Sequence, residues 1–305
     1  MVNRKFLNYP DWQNTADTVH LLLQISGKIK LEKNHPRPEW AHIRHYLTAD
    51  GLTTGLIPDE KSPFELDFNF REQYLKIHNT EPRQVIIPLK DGQSISWYYK
   101  KIMEALEYLG SPVKINTRCQ EFYDQVELDQ DERYHSFDEK SVLIFLENLY
   151  FACNVMRDFI APFRGKVDNP AYYFGTMDLS AIIYSGEPAP FGKDAAISAH
   201  AFDERNLEIG FWPGDVHFPE PAFYILPYPF IADIQGNDKM IRPDKAWFSP
   251  EKKEFFLKLA DAFSYDDPTE KVKEFFQSGW DINQKLKRWD NLDWITHPLQ
   301  YQKQE

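Results

Sequence analysis

Three polar side chains are evenly spaced in a strongly apolar stretch near the start of the chain. His20, Gln24 and Lys28 lie four residues apart, so on a helix they form a row along one side. If this row faces a cleft, His20 is suited to proton transfer and Lys28 to holding an anion, with Gln24 between them as a binding residue. The alternative is an amphipathic helix whose polar row faces solvent.

A second group of candidate residues lies in the segment 40–45. If this segment is a strand, His42 and Arg44 share one face and His45 lies on the other. Two histidines on opposite faces cannot bind one metal ion without a bulge, and no His-x-His or Cys-x-x-Cys spacing supplies a further ligand. We therefore expect no metal site. His42 and Arg44 are candidates for an anion-binding face, with ordinary cross-strand pairing as the alternative.

The third candidate group is an aromatic turn followed by a proline-rich loop. Its residues are Gly210-Phe211-Trp212-Pro213-Gly214 and Glu220-Pro221-Ala222-Phe223-Tyr224. Two glycines around a Trp-Pro step predict a tight turn that displays an aromatic ring. In this interpretation Trp212 is the stacking wall of a site, and Glu220 or Asp178 is a general base. In the alternative, Trp212 fills the core and Glu220 caps a turn.

The familiar motifs of several enzyme classes do not occur in the sequence. It contains no Gly-x-Ser-x-Gly elbow, no Walker phosphate loop and no Rossmann glycine fingerprint. Esterase, nucleotide hydrolase and dinucleotide dehydrogenase activities therefore lose their usual support, and we expect no cofactor. If the protein is an enzyme, hydrolysis by acid and base groups is the least demanding reaction.

The elements that must position these residues follow from periodicity and from start and stop signals. Helices are predicted from Asn14 to an end at Gly27, over 94–109, over 136–160 from a Ser136 capping box, and after Pro250 and Pro268. Short antiparallel strands are predicted between them, over 40–47, 52–57, 64–70, 74–78, 84–89, 172–176, 179–184, 207–212 and 222–228. The predicted fold class is α+β, with two related halves that are each a helix, an antiparallel meander and a further helix.

The order of elements also predicts a division of the chain. An N-terminal half covers 1–117, an acidic connection 118–135, a C-terminal half 136–289 and a tail 290–305. The repeated order predicts an internal duplication. The aligned pairs include Gly27 with Gly165, Leu75 with Leu207, and Tyr98-Tyr99 with Phe255-Phe256. If the duplication is real, the halves pair about a pseudo-twofold axis and their inner faces form a shared cleft.

Composition limits the partners and the compartment. The chain has 47 acidic and 35 basic residues, a formal charge of -12, which opposes attraction to nucleic acid and to anionic membranes. Cys119 and Cys153 are too few for a disulfide framework and fit a reducing compartment. No stretch approaches the ~20 apolar residues of a membrane span. We expect a soluble cytoplasmic protein without nucleic-acid or membrane partners, and the sequence indicates no oligomeric state.

Three stretches of the sequence carry a resemblance to a known family. They are Asp17 to Lys28, Tyr46 to Thr54, and the block from Gly210 to Tyr224. Together they resemble a bacterial family known only as a domain of unknown function, over most of the chain. The resemblance implies a whole-chain bacterial domain in the cytoplasm, with no catalytic residues to carry over.

The candidate residues lead to two hypotheses of different class. In the first, the protein binds a small molecule, or is a cofactor-independent enzyme, with its site in a cleft between the two halves. His20 and Glu220 are then the catalytic candidates, and the binding candidates are Gln24, Lys28, His42, Arg44 and Trp212. In the second, exposed aromatic side chains form a surface for a protein partner or for self-association, and the protein is a noncatalytic scaffold.

Overall fold

The computed structural model describes residues 5–192 and 196–299, where helices cover two antiparallel sheets. The α+β class predicted from the sequence is confirmed. The helices are α1 Tyr9–Lys33, α2 Ile95–Tyr108, α3 Glu139–Ile160, α4 Ala196–Ala201, α5 Leu259–Phe263, α6 Pro268–Leu286 and α7 Leu292–Ile295. The five-stranded sheet contains β1 Tyr46–Leu47, β2 Gly51–Thr53, β3 Phe64–Asn69, β4 Tyr74–Asn79 and β5 Gln84–Pro88. The six-stranded sheet contains β6 Val167–Tyr173, β7 Asp178–Pro188, β8 Glu204–Trp212, β9 Ala222–Tyr228, β10 Trp247–Ser249 and β11 Glu254–Lys258.

The two faces of the six-stranded sheet differ in what covers them. Its strands run in the order β10-β11-β9-β8-β7-β6. On β8, Leu207, Ile209 and Phe211 are buried on the face that α3 and α6 cover. Because side chains alternate along a strand, Glu208 and Trp212 lie on the opposite face, where they are only half-buried. Polar and aromatic side chains therefore collect on this second face.

Helix α1 continues past the position where the sequence predicted its end. Gly27 lies inside the helix, which runs on to Lys33, so the prediction that Gly27 stops it is wrong. A Cβ atom on Gly27 would lie 2.0 Å from the ring of Phe174. The glycine is therefore explained by the close approach of this ring to the helix and not by a left-handed cap.

The segment before β1 is a turn where a strand was predicted. A 3-10 helix occupies Pro38–Trp40, and only Tyr46–Leu47 of the predicted strand 40–47 pairs in the sheet. Glu39 and Trp40 both have positive φ, 51° and 53°, so the backbone after the proline is not extended. His42 and Arg44 consequently do not share the face of a strand, and the alternation that was used to pair them does not apply.

The segment 247–258 is a hairpin where a helix was predicted. Pro250 lies in the turn between β10 and β11, and Phe256 on β11 pairs with Tyr224 on β9. Only the short α5 that follows is helical. The neighbouring aromatic residues Phe255 and Phe256 face opposite sides of the sheet, which is incompatible with the single helical stripe that the sequence suggested.

Capping side chains define the starts of two long helices. Helix α3 begins one residue after Asp138, whose carboxylate accepts the backbone N–H of Ser141 at 2.9 Å; Ser136, the predicted cap, lies outside the helix. Helix α6 begins as predicted, with the Asp267 carboxylate accepting the backbone N–H of Glu270 at 3.1 Å. Each contact satisfies an N–H group that has no partner within its helix.

The two predicted halves share one apolar core. Buried residues of this core extend from Tyr9 to Ile295, and the connection 118–135 contributes Val126 and Leu128 to it. The predicted duplication pairs a helical segment of α2 with a strand segment of β11 in one aligned block. The symmetry and the domain boundaries therefore stay predictions. Within 5–192 and 196–299, no helix is both long enough and apolar enough to cross a membrane.

Candidate ligand-binding site

A cavity of about 410 Å³ lies on the second face of the six-stranded sheet, within the size range of small-molecule sites. Its floor contains one carboxyl group from each of three strands: Asp178 on β7, Glu208 on β8 and Glu254 on β11. The aromatic side chains that line it are Trp40, Tyr173, Phe174, Phe202, Trp212, Tyr224 and Phe256. The cavity therefore combines apolar walls with an acidic floor.

Three segments outside this sheet cover the cavity. They are the 3-10 helix with Glu39 and Trp40, the short helix α4, and the connection at Gln120 and Glu121. The indole N–H of Trp40 donates to the backbone carbonyl of Ile197 on α4 at 3.0 Å. This bond ties two of the three covering segments together over the floor.

The Tyr224 hydroxyl joins two of the floor carboxyl groups into one hydrogen-bonded unit. It lies 2.8 Å from Glu208 Oε1 and also contacts Asp178 Oδ2, and the other oxygen of Asp178 accepts from the Thr176 hydroxyl. A tyrosine hydroxyl has a single proton, so it can donate to only one of the two carboxyl groups. The second contact needs a proton on a carboxyl oxygen. Asp178 already accepts from Thr176, so Glu208 is the better carrier of that proton.

The protonation of the floor follows from its burial. Burial, and then the charge of Asp178, raise the pKa of Glu208 to about 7. Burial, and then the charge of Glu208, raise the pKa of Glu254 to about 7. Burial also raises the pKa of Asp178, against the hydrogen bonds from Thr176 and Tyr224. Groups whose pKa lies near neutrality can take up or release protons at physiological pH.

Basic side chains are scarce around this floor. Lys252 is the one lysine or arginine among the described lining residues, and its Nζ lies 5.6 Å from the centre of the Trp212 ring. Arg44 is one layer further out, where its Nε donates to the Tyr173 hydroxyl at 2.6 Å and its Nη2 to Asp168 at 2.6 Å. Arg44 thus forms an ion pair with Asp168 outside the cavity.

Backbone strain is concentrated around the cavity. Glu39, Trp40 and Glu121 line it and have φ values of 51°, 53° and 50°. Met177 and Lys253, with φ values of 60° and 62°, are each adjacent in sequence to a lining residue. A left-handed conformation costs a non-glycine residue roughly 1–2 kcal/mol. Surrounding contacts must hold these residues in place, as is typical of functional sites.

The predicted row on α1 supports the wall of the cavity from behind. His20 Nε2 lies 2.9 Å from the carbonyl of Gly175, and burial lowers the pKa of His20 to about 4, so the ring is neutral at pH 7. The Gln24 side chain makes two hydrogen bonds to the backbone of Gln120, of 2.7 and 2.8 Å. Lys28 Nζ donates to Gln120 Oε1 at 3.4 Å. These three residues hold Gly175 and Gln120, which line the cavity, without lining it themselves.

The other predicted site residues are divided between the cavity and its surroundings. Trp212 lines the cavity, as does Asp178, the alternative general base. His42 is buried behind Trp40, with ring centres 5.8 Å apart. Glu220 is not a lining residue, and its carboxylate forms an ion pair with Lys258 at 2.6 Å.

Sequence reasoning missed Glu208 and Glu254. The signal for Glu208 is its position in the otherwise apolar segment 207–212, two and four residues before Gly210 and Trp212, so that all three share a face of the strand. Glu254 could not be placed on that face because its segment was predicted to be helical. The sequence also gives no indication that the connection 118–135 covers the site.

Gly210 makes room for the ring that carries the central hydroxyl. A Cβ atom on Gly210 would lie 2.2 Å from Cζ of Tyr224 and 2.4 Å from its hydroxyl oxygen. We expect Gly210→Ala to displace Tyr224 from Asp178 and Glu208 and to lower the free energy of unfolding by about 1–3 kcal/mol, the usual cost of an overpacked site. Urea unfolding measures the loss. Equal stability of variant and wild-type protein would contradict this packing.

The fold and the cavity define an α+β protein with an acidic, aromatic-walled site of ligand size. The chain belongs to DUF5996, a family of unknown function, whose model matches residues 5–294. This confirms the resemblance to a family of unknown function that the sequence motifs indicated. No curated protein and no solved structure matches the chain. The family assigns no reaction, so a function has to be argued from the cavity.

Proposed function

We propose that this protein binds a small organic molecule in the cavity on the second face of the six-stranded sheet. The observation that carries the proposal is the convergence of seven aromatic side chains and a row of carboxyl groups on one space of about 410 Å³. Ligand sites combine apolar walls with a few placed polar groups in this way. The strained backbone at Glu39, Trp40 and Glu121 supports the same location.

A blocked cavity tests this proposal. Leu226→Trp places a large ring on a half-buried lining residue of β9, and Ile86→Trp makes a matched change on the exposed side of β5, outside the cavity. Saturation-transfer NMR with a mixed fragment library of cations, anions and neutral molecules provides the readout. We expect fragments to bind wild-type protein and Ile86→Trp, and to lose their signal with Leu226→Trp.

The outcome is decisive provided that the blocked protein is folded. Circular dichroism checks the fold, and Ser198→Trp on the covering helix α4 supplies a second block if Leu226→Trp unfolds. Undiminished fragment binding in a folded, blocked variant would show that the ligand site lies elsewhere. An absence of any fragment signal with the wild-type protein would also count against the proposal.

An enzymatic role is the second candidate within the same cavity. The observation that favours it is the hydroxyl that Asp178 and Glu208 share, because an ionised and a protonated carboxyl group side by side can act as base and acid. The scaffold alternative has less support, since seven aromatic side chains line the cavity and do not form an exposed surface patch. The exposed large apolar residues, such as Leu56, Tyr108 and Trp294, are spread along the chain.

The proposed setting of the protein follows from its thiols and its charge. Cys119 and Cys153 are both free, which fits a reducing compartment such as the cytoplasm. The formal charge of -12 disfavours nucleic acid as a partner. We therefore propose a cytoplasmic protein whose partner is a small molecule.

A further inference from the structure

We infer that the ligand of the cavity is an organic cation, with its positive charge against the carboxyl groups of Glu121, Glu208 and Glu254 and its apolar part against the aromatic walls. The inference rests on the proposed function, because it names the ligand class for the same cavity. Three observations carry it: the excess of acidic side chains in the cavity, the aromatic rings of its walls, and the proton that the hydrogen-bonded Asp178, Tyr224 and Glu208 side chains share.

Acidic side chains outnumber basic ones around the cavity. The side chains of Glu121 and Glu254 form no hydrogen bond and no ion pair with any other residue that the structure describes. Glu39, by contrast, is neutralised by Lys166 at 2.7 Å. Glu121 is exposed, whereas Glu254 is half-buried, and the charge of Lys252 acts on Glu254 without forming an ion pair with it. A carboxylate that is partly removed from water is stabilised by a closer counter-charge. A cationic ligand would supply this counter-charge to the carboxyl groups of the cavity.

The walls are suited to the same ligand. The face of an aromatic ring attracts a cation within about 6 Å of its centre. The Lys252 ammonium lies 5.6 Å from the centre of the Trp212 ring, so a cation of the protein itself already contacts this ring. Behind Trp212, the rings of Phe218 and Phe256 are stacked in turn, with centres 5.5 Å apart at each step, and they hold the wall rigid.

Other ligand classes fit less well. An organic anion would meet a floor of carboxyl groups with only Lys252 to attract it. A neutral molecule such as a sugar could stack on the rings and donate hydrogen bonds to the carboxyl groups, but it would supply no positive charge to an acidic cavity in which Lys252 is the one lining lysine or arginine that the structure describes. An organic cation offers both an apolar part for the rings and a positive charge for the carboxyl groups.

Binding of the cation should release protons. One carboxyl group of the Asp178–Tyr224–Glu208 unit holds a proton, since the single tyrosine proton cannot make both contacts. A cation in the cavity favours the ionised form and drives the proton out. The other titratable and charged groups that face the unit from the surrounding elements are Glu39, Arg44, Glu121, Tyr173, Lys252 and Glu254. Acidic groups outnumber basic ones among them. Because release of a proton as pH rises makes these surroundings still more negative, it strengthens cation binding.

Benzyltrimethylammonium is a suitable probe because its charge does not change with pH. Its affinity is measured by NMR titration at pH 6, 7 and 8, beside benzyl alcohol as the neutral analogue and benzoate as the anion. We expect the cation to bind best, and to bind at least about tenfold more tightly at pH 8 than at pH 6, because tenfold is the gain from ionising one group with pKa about 7 and both Glu208 and Glu254 titrate there. Benzyl alcohol should show no such dependence.

Glu208→Gln and Glu254→Gln keep the shape of the cavity and remove one charge each. We expect either change to weaken binding of the cation at pH 8 by about tenfold or more, a loss typical of one ionic contact, and to leave benzyl alcohol unaffected. A cation that binds no better than the alcohol, or equally well to both variants, overturns the inference. If the alcohol or benzoate binds instead, and Leu226→Trp abolishes that binding, the proposed cavity stands and only its ligand class is wrong.

Discussion

As pH rises from 5 to 8, the free energy of unfolding of the Glu208→Gln variant is expected to increase by about 2 kcal/mol relative to that of wild-type protein. Burial and the charge of Asp178 raise the pKa of Glu208 in the folded protein to about 7, from 4.5. A group whose pKa is raised on folding contributes stability below its unfolded pKa and loses that contribution as pH rises through its folded pKa. The wild-type protein should therefore weaken over this interval, whereas glutamine does not titrate.

Urea unfolding at pH 5, 6, 7 and 8 measures this gap in free energy. Glu72→Gln, on the exposed turn between β3 and β4 of the other sheet, is the matched control, and its gap to wild-type protein should stay constant. The expected result is a divergence confined to Glu208→Gln. Parallel curves for both variants would mean that Glu208 is already ionised in the folded protein at pH 5, and that the shared-proton unit does not exist.

Local signals in the sequence were sufficient for the elements that they alone determine. Helix α2 was predicted from an apolar stripe closed by Gly110, and α6 from a stripe together with a capping residue. Strand β3 was predicted from alternating apolar and polar residues, and β9 from a short apolar segment after a proline-rich turn. In these segments the secondary-structure preference of each residue agrees with its packing in the folded protein. Prediction succeeded because no distant contact had to overrule the local pattern.

The failures fall where a distant contact decides. At 249–258, Phe255 and Phe256 suit either a helix or a strand, and the pairing of β11 with β9 selects the strand. At 38–40, the left-handed conformation of Glu39 and Trp40 has no local signature. Both segments contribute residues to the cavity. The sequence was thus least informative at the site itself, as expected where local preference yields to function.

The sequence could indicate which residue types belong to a site, but not which of those residues line the cavity. Trp212 and Asp178 were among the candidates and line the cavity, whereas His20, Gln24 and Lys28 support its wall. Which polar residue on a strand faces a cavity depends on what covers the sheet, and here the cover comes from distant parts of the chain. Whether His20 or Glu220 takes part in any reaction stays a prediction.

The Gly27→Ala variant is expected to be less stable than wild-type protein by about 2–3 kcal/mol, the cost of overpacking a buried site. The sign of this effect is diagnostic. In a helix, alanine is favoured over glycine by about 1 kcal/mol, so the substitution would stabilise α1 if nothing lay against Gly27. The Phe174 ring, 2.0 Å from the position of the new Cβ atom, reverses that preference. Urea unfolding of the single variant therefore reports directly on the contact between α1 and the cavity wall.

A double-mutant cycle separates this contact from other effects of the substitution. Phe174→Ala removes the ring and costs stability by itself, because Phe174 is buried and lines the cavity. In that background the clash is gone, and Gly27→Ala should be neutral or stabilising as helix propensity dictates. The coupling between the two changes should then reach about 3 kcal/mol. A loss of equal size in both backgrounds would place the cause within α1 alone, and Phe174 would not be the ring that fixes the helix to the wall of the site.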